Sequence, residues 1–199
     1  MDDYASMEQC TVKYSQYELA ICAALEHIRP PAARAMASEH QRVRILVVGA
    51  GRAPLVKRCL AAAARVGVLV DVLALERNAE AIKYCQRSTE FSSASLGDNK
   101  AQFLHADAVD AQHAIQTQAP GWSGAELVVS ELLGSFADNE LAPEVLSVVA
   151  LASGLLSPHC QFIPQSHTSF VYPVQLPYMQ DVLKQRSSNR ELKKRYSSP

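Results

Sequence analysis

Residues 45–54 read ILVVGAGRAP. A short, wholly apolar run, Ile45 to Val48, ends at Gly49, and that predicts a strand buried on both faces of a parallel sheet. Working outward, Pro54 to Val66 is Ala-rich, with Leu55, Cys59 and Ala63 on one face and Gly67 just past the end, which predicts a helix. Val68 to Leu75 is a second apolar strand broken only by Asp71, and Asn78 is placed to cap a helix over 79–87. After the polar loop FSSASLGDNK (91–100), strands are expected around 102–105 and 126–129. Strands alternating with helices in this way specify an α/β fold, a doubly wound, Rossmann-like parallel sheet.

The flanks read differently. Tyr14, Tyr17, Ile21, Leu25 and Ile28 recur at helical spacing until Pro30 and Pro31 stop the helix, and an Ala-rich linker runs on to Gln41. Beyond Ser153 strand-like text returns at Gln161–Ile163 and Thr168–Val174, interrupted by Pro164, Pro173 and Pro177. The basic, Ser-rich end KQRSSNRELKKRYSSP (184–199) reads as a solvated, disordered tail. The expected organisation is an N-terminal helical segment (1–42), a Rossmann-like domain (43–164), the truncated start of a C-terminal β region (165–185) and the tail (186–199).

Composition narrows the function classes. A formal net charge of −1 over 199 residues gives no global footprint for direct nucleic-acid binding. Neither a signal core in MDDYASMEQC nor a membrane-length apolar run is present, so no membrane partner is expected. Five scattered cysteines without a CxxC pair read as reduced, buried thiols, and the histidines have no ligand spacing, so no metal is expected. A cytoplasmic or nuclear chain is the expectation.

The loop after the first strand points to a ligand. Gly49 and Gly51 let backbone approach it closely, and a helix N-terminus favours an anionic group. A dinucleotide fold wants glycine or alanine at the sixth position of this motif; Pro54 stands there, which argues against a pyrophosphate and against a nicotinamide-dependent dehydrogenase. S-adenosylmethionine carries no phosphate and needs only this relaxed form. Glu76, ending the second strand, is placed to accept from both ribose hydroxyls. Arg52 suits a ligand carboxylate or solvent, and Asp107 suits an adenine amino group or a loop cap.

The string SELLGSFADNELAPE (130–144) follows the fourth strand, at the edge where open parallel sheets bind ligands. Gly134 permits a turn that brings Glu140 back toward Glu131. Two acids around one point match the planar fork of a guanidinium, can concentrate electron density on one nitrogen, and can aim it at a methyl donor.

This string resembles the double-glutamate loop of the protein arginine methyltransferases, in the form carried by their symmetric, type II class. The resemblance extends through KYSQY (13–17), VVGAGRAPLV, LALERN and IPQSHTSF (163–170). It implies Glu131 and Glu140 as catalytic carboxylates. It implies cofactor contacts from Tyr4, Lys13, Tyr14, Glu76, Asp107 and Ala108, with S-adenosylmethionine as the cofactor. The implied substrates are arginine-containing proteins, in Gly/Arg-rich segments and histone tails, and the implied products are mono- and symmetric dimethylarginine.

Three departures stand out. Met7 replaces a phenylalanine that bears on product symmetry in this class. Ala53 stands where the family usually has another glycine; alanine fits if the backbone there is helical. The family also carries a barrel domain before this region and a β-barrel with dimer contacts after it, so the chain reads as the catalytic domain only. Oligomerisation is expected only with those domains, and a catalytically weak cofactor-binding fragment is the alternative reading.

Overall fold

The computed structural model describes residues 10–31, 41–134, 136, 139–176 and 178–181. Tyr4, Met7, the linker at 32–40 and the basic tail lie outside the described residues. Helix α1 (Thr11–Ile28) comes first, followed by β1 (Val43–Val48), α2 (Pro54–Val66), β2 (Val70–Glu76) and α3 (Ala79–Arg87). After these come α4 (Ser93–Leu96), β3 (Lys100–His105), α5 (Ala111–Gln118), β4 (Ala125–Ser130), α6 (Ala142–Leu151) and β5 (Leu156–Ile163). The five strands form one sheet in the order β3-β2-β1-β4-β5, and every neighbouring pair is parallel.

The apolar runs are explained by what covers them. Val43, Ile45 and Val47 of β1 join Val72, Ala74, Leu127 and Val129 in one core, closed by Ile21 and Leu25 of α1 and by Leu55, Val56 and Cys59 of α2. Leu46 and Val48 point the other way, into a second core with Leu73, Leu75, Leu104 and Val128 under α5 and α6. Alternate residues therefore feed opposite faces, and since both faces are dry the strand shows no polar alternation. Each fully buried Leu, Ile or Val contributes about 1.5–3 kcal/mol.

The helix ends follow the sequence expectation. Asn78 Oδ1 accepts from the Glu80 and Ala81 N–H groups at 2.9 and 3.4 Å, capping α3. Gly67, with φ 75°, closes α2 through its N–H to the Ala63 carbonyl at 2.8 Å.

Three sequence expectations need correction. Thr168–Val174 forms no strand. Among the described residues it has no strand to pair with, and Pro173 contributes no N–H to a ladder. The chain divides into compact units 1–168 and 169–199; in the second, Phe170 and Tyr172 stack with ring centroids 6.3 Å apart, and residues 178–181 are helical. The cysteines are free but not uniformly buried: Cys59 and Cys85 are buried, Cys22 and Cys160 intermediate, and Cys10 exposed. Burial pushes the Cys59 thiol up to about 12.

A third correction concerns Ala53. Its backbone is left-handed, φ 69° and ψ 32°, not right-handed helical, and the residue is fully buried. The chain must turn from β1 into α2 within five residues, and it does so with positive φ at Gly49, Gly51 and Ala53 in alternation. A left-handed alanine costs about 1–2 kcal/mol, against roughly 0.4–1 kcal/mol of extra unfolded-state entropy for glycine. Ala53→Gly also deletes a buried methyl worth about 0.8 kcal/mol, so the three effects nearly cancel and stability is expected to stay within about 0.8 kcal/mol of the parent, read from the urea midpoint; a loss of about 1.5 kcal/mol or more would contradict the strain.

Candidate active site

β1 pairs with β2 on one side and β4 on the other, so the connections leaving β1 and β4 diverge at the carboxyl edge of the sheet. A crevice opens at such a switch point. Here it is a cavity of about 300 Å³, lined among others by Tyr14, Gly49, Gly51, Glu76, Asp107, Ala108, Glu131 and Glu140. That volume lies at the lower end of the range for small-molecule sites. Every described residue that the sequence singled out for the site lines this cavity except Lys13, which reaches it through Glu131.

Glu76 is the acid on the β1–β2 side of the cavity. It ends β2, is only 7% exposed, and each of its oxygens accepts one backbone N–H. Oε2 accepts from Gly51 and Oε1 from Asn78, both at 2.7 Å. A carboxylate oxygen accepts about two hydrogen bonds, so each still has a lone pair to offer. Two acceptors fixed side by side suit the two hydroxyls of a ribose. The glycine at 51 matters here, because the donated N–H comes from a residue with φ 53°.

Asp107 caps its loop, the second of its sequence alternatives. Its Oδ1 accepts from the Val109 N–H at 3.1 Å, capping the 3-10 turn Ala108–Asp110, and the residue also lines the cavity. Arg52 lines the cavity too, with its guanidinium over the Tyr84 ring, 5.3 Å from the centroid.

On the other side of the cavity lies the two-carboxylate loop. Glu131 directly follows the last residue of β4, so the sheet aims it at the crevice. Gly134 has φ 57°, and a Cβ there would strike Asn139 Oδ1 and lie 3.1 Å from Glu140 Cγ. The loop thus folds back so closely that only a hydrogen fits, and this brings Glu140 to the same cavity. Leu132 packs against Gly49, where an added Cβ would lie 2.6 Å from its Cδ2, so the two loops touch.

Helix α1 supplies contacts that sequence reasoning missed or assigned elsewhere. Lys13 Nζ donates to Glu131 Oε2 at 2.9 Å. Burial alone lowers the Lys13 pKa, but the hydrogen bond and charge of Glu131 outweigh it and hold the group above its ordinary value. Tyr17 Oη donates to the Ser130 carbonyl at 2.8 Å. Tyr17 counted in the sequence only as one position of an apolar helix face; its place in KYSQY, one turn beyond Lys13, was the available signal.

With this geometry in view, relatives can be compared. The model of the PRMT5 arginine-N-methyltransferase family matches residues 1–159. The chain belongs to that family. It is 35% identical over 176 residues to protein arginine N-methyltransferase 5 of Oryza sativa subsp. indica, covering 86% of this chain and 24% of that protein. It is 36% identical over 174 residues to protein arginine N-methyltransferase skb1 of Schizosaccharomyces pombe, covering 87% of this chain and 24% of that one. The chain thus spans about a quarter of the length of the curated relatives it matches, 24% in both cases. Among solved structures it is similar to a DszA carbon methyltransferase, with a TM-score of 0.49 and 17% identity, covering 76% of this chain and 35% of that one.

The tight turn in the two-carboxylate loop can be tested. Gly134→Ala should lower stability by about 1–2 kcal/mol, from its left-handed φ and the clash with Asn139. Thermal unfolding reads this directly; an unchanged midpoint would mean that the loop does not close on itself.

Proposed function

We propose that the chain is the catalytic part of a protein arginine N-methyltransferase that uses S-adenosylmethionine. It methylates a guanidinium nitrogen of protein arginine, giving monomethyl- and then symmetric dimethylarginine. The observation that carries this reading is the meeting of Glu76, Glu131 and Glu140 at one cavity, at the switch point of a sheet whose family is that of arginine methyltransferases. Flexible Gly/Arg-rich segments and histone tails are the proposed substrates, and the cytoplasm or nucleus the proposed location.

The residues present fit the cofactor. Glu76 offers paired acceptors for the ribose hydroxyls, Tyr14 and Ala108 wall the cavity, and Asp107 lies at the end of β3 for the adenine. When bound, S-adenosylmethionine supplies an electrophilic methyl on a sulfonium. Glu131 and Glu140 accept the N–H groups of the substrate guanidinium and set its plane. Their negative charge enriches the nitrogen that faces the methyl, so that catalysis comes from positioning and fixed electrostatics. Leu132 and Val145 line the cavity as apolar wall, which limits water beside the reacting nitrogen.

A second reading, cofactor binding without efficient transfer, draws on one observation. Phe170, Val171, Tyr172 and Val174 are 69–80% exposed, which is apolar surface suited to burial against further protein. Transfer to an Arg/Gly-rich peptide, followed by mass analysis of the product, separates the two. Glu131→Gln and Glu140→Gln should each lower transfer about 100-fold or more while leaving calorimetric cofactor affinity nearly intact. Glu76→Ala should do the reverse at first order, weakening the cofactor about tenfold or more. Wild-type turnover in either Gln variant would sink the two-carboxylate mechanism. Cofactor binding with no transfer by the unmutated chain would favour the second reading, and binding of NAD in place of S-adenosylmethionine would overturn both.

A further inference from the structure

Where β4 ends, the sheet stops holding the chain. The last rung between β1 and β4 pairs Val48 with Ser130, and Glu131 comes immediately after it. The carboxylate that must be placed most accurately therefore sits just beyond the ladder. Two side chains of α1 take over at that point. Tyr17 Oη donates to the carbonyl of Ser130 at 2.8 Å, and Lys13 Nζ donates to the carboxylate of Glu131 at 2.9 Å. Positions 13 and 17 are four apart, so they project from one face of the helix, and they hold consecutive residues of the strand exit.

We propose that Lys13 and Tyr17 are a two-point clamp that positions Glu131, Tyr17 fixing its backbone and Lys13 fixing its carboxylate. This rests on the functional reading above and adds two positioning residues to it. The helix is a firm base for such a clamp, because Ile21 and Leu25 further along α1 are fully buried in the core. Tyr17 itself packs against that core, and burial together with the charge of Glu131 raises its phenol pKa, so it stays a neutral donor. Lys13 is held in its charged form by Glu131.

The clamp has a chemical consequence. With Lys13 on Oε2, the carboxylate cannot rotate freely, yet Oε1 and a second lone pair of Oε2 remain to accept a guanidinium. The ammonium also offsets part of the repulsion between Glu131 and Glu140. Since Tyr14 of the same helical turn walls the cavity and lies under the Lys13 ammonium, 5.0 Å from ring centroid to nitrogen, one turn of α1 serves both sides of the site.

The test sets this role against direct contact of Lys13 with the cofactor. In peptide methylation, Lys13→Met should lower kcat about tenfold with cofactor affinity changed by less than about twofold. Lys13→Arg should restore part of that loss, and Tyr17→Phe, which deletes only the hydroxyl, should lower kcat severalfold. Circular-dichroism melts identify a variant that fails to fold; Tyr17→Phe and Lys13→Arg then decide. Loss of cofactor affinity in Lys13→Met with kcat unchanged would overturn the proposal, as would full activity in Tyr17→Phe together with Lys13→Met. An activity-independent arm follows acylation of the Lys13 amine by acetic anhydride, read by peptide mass spectrometry. It should run severalfold faster in Glu131→Gln than in wild type, and equal rates would refute the clamp. If the unmutated chain transfers no methyl to the peptide, the functional reading falls while this arm still decides whether Lys13 holds Glu131.

Discussion

The pairing of β1 between β2 and β4 is the constraint from which the site follows. Parallel strands all end on the same edge, so three exits, at Gly49, Glu76 and Glu131, are forced within reach of one another. Because the chain continues from β1 toward β2 and returns to β4 on the far side, no connection crosses the gap between β1 and β4. The crevice is thus a property of strand order, and the residues at its rim need only be the right ones. Burial on both faces enforces the order: slipping β1 by one residue would exchange Ile45 and Val47 with Leu46 and Val48 between two differently shaped cores.

Glu76 turns that topology into a preorganised surface. Its two oxygens tie the β1 exit to the β2 exit by way of the Gly51 and Asn78 N–H groups, and Asn78 in turn caps α3. A carboxylate buried to this degree is costly unless its lone pairs are engaged, and charge-assisted bonds to backbone are the strong kind. One side chain therefore both ties the two strand exits together and, under the proposed function, faces the ligand. Leu132 packed on Gly49 makes a link across the gap, joining the β1–α2 loop to the carboxylate loop by contact instead of charge.

How much of this the sequence could say depends on whether the signal is local. The strand runs, the Asn78 cap, the Gly67 stop and the placement of Glu76 and Glu131 at strand ends were legible because each is decided within a few residues. β5 was legible only in its last part: Pro158 and His159 break the apolar run, and the pairing with β4 is irregular there, between Ala125↔Leu156 and Leu127↔Gln161. An edge strand tolerates such an interruption, whereas a sequence reader takes it for a loop. Helix α6 begins in the last three residues of a string read for its acids, and α5, AQHAIQTQ, has too few apolar residues to announce a face. The left-handed Ala53 was misread for another reason: φ is set by how sharply β1 must turn into α2, and the one signal, a glycine usual at this position in the family, was set aside because alanine suits a helical backbone.

The contacts of α1 were the least legible of all, since they join residues 118 and 113 positions apart. They also answer an electrostatic problem that the two-carboxylate loop poses. Two acids that face one cavity repel each other, and the close approach of Gly134 to Asn139 and Glu140 keeps Glu140 at that cavity. A cation near one of them lowers that repulsion without occupying the cavity, provided it comes from outside the loop. Lys13 meets this condition: it does not line the cavity, it arrives on a helix packed against the core, and it touches Glu131 at a single oxygen. Under the proposed function, a guanidinium entering the cavity meets a carboxylate already oriented, and the ordering cost of binding falls mainly on the substrate.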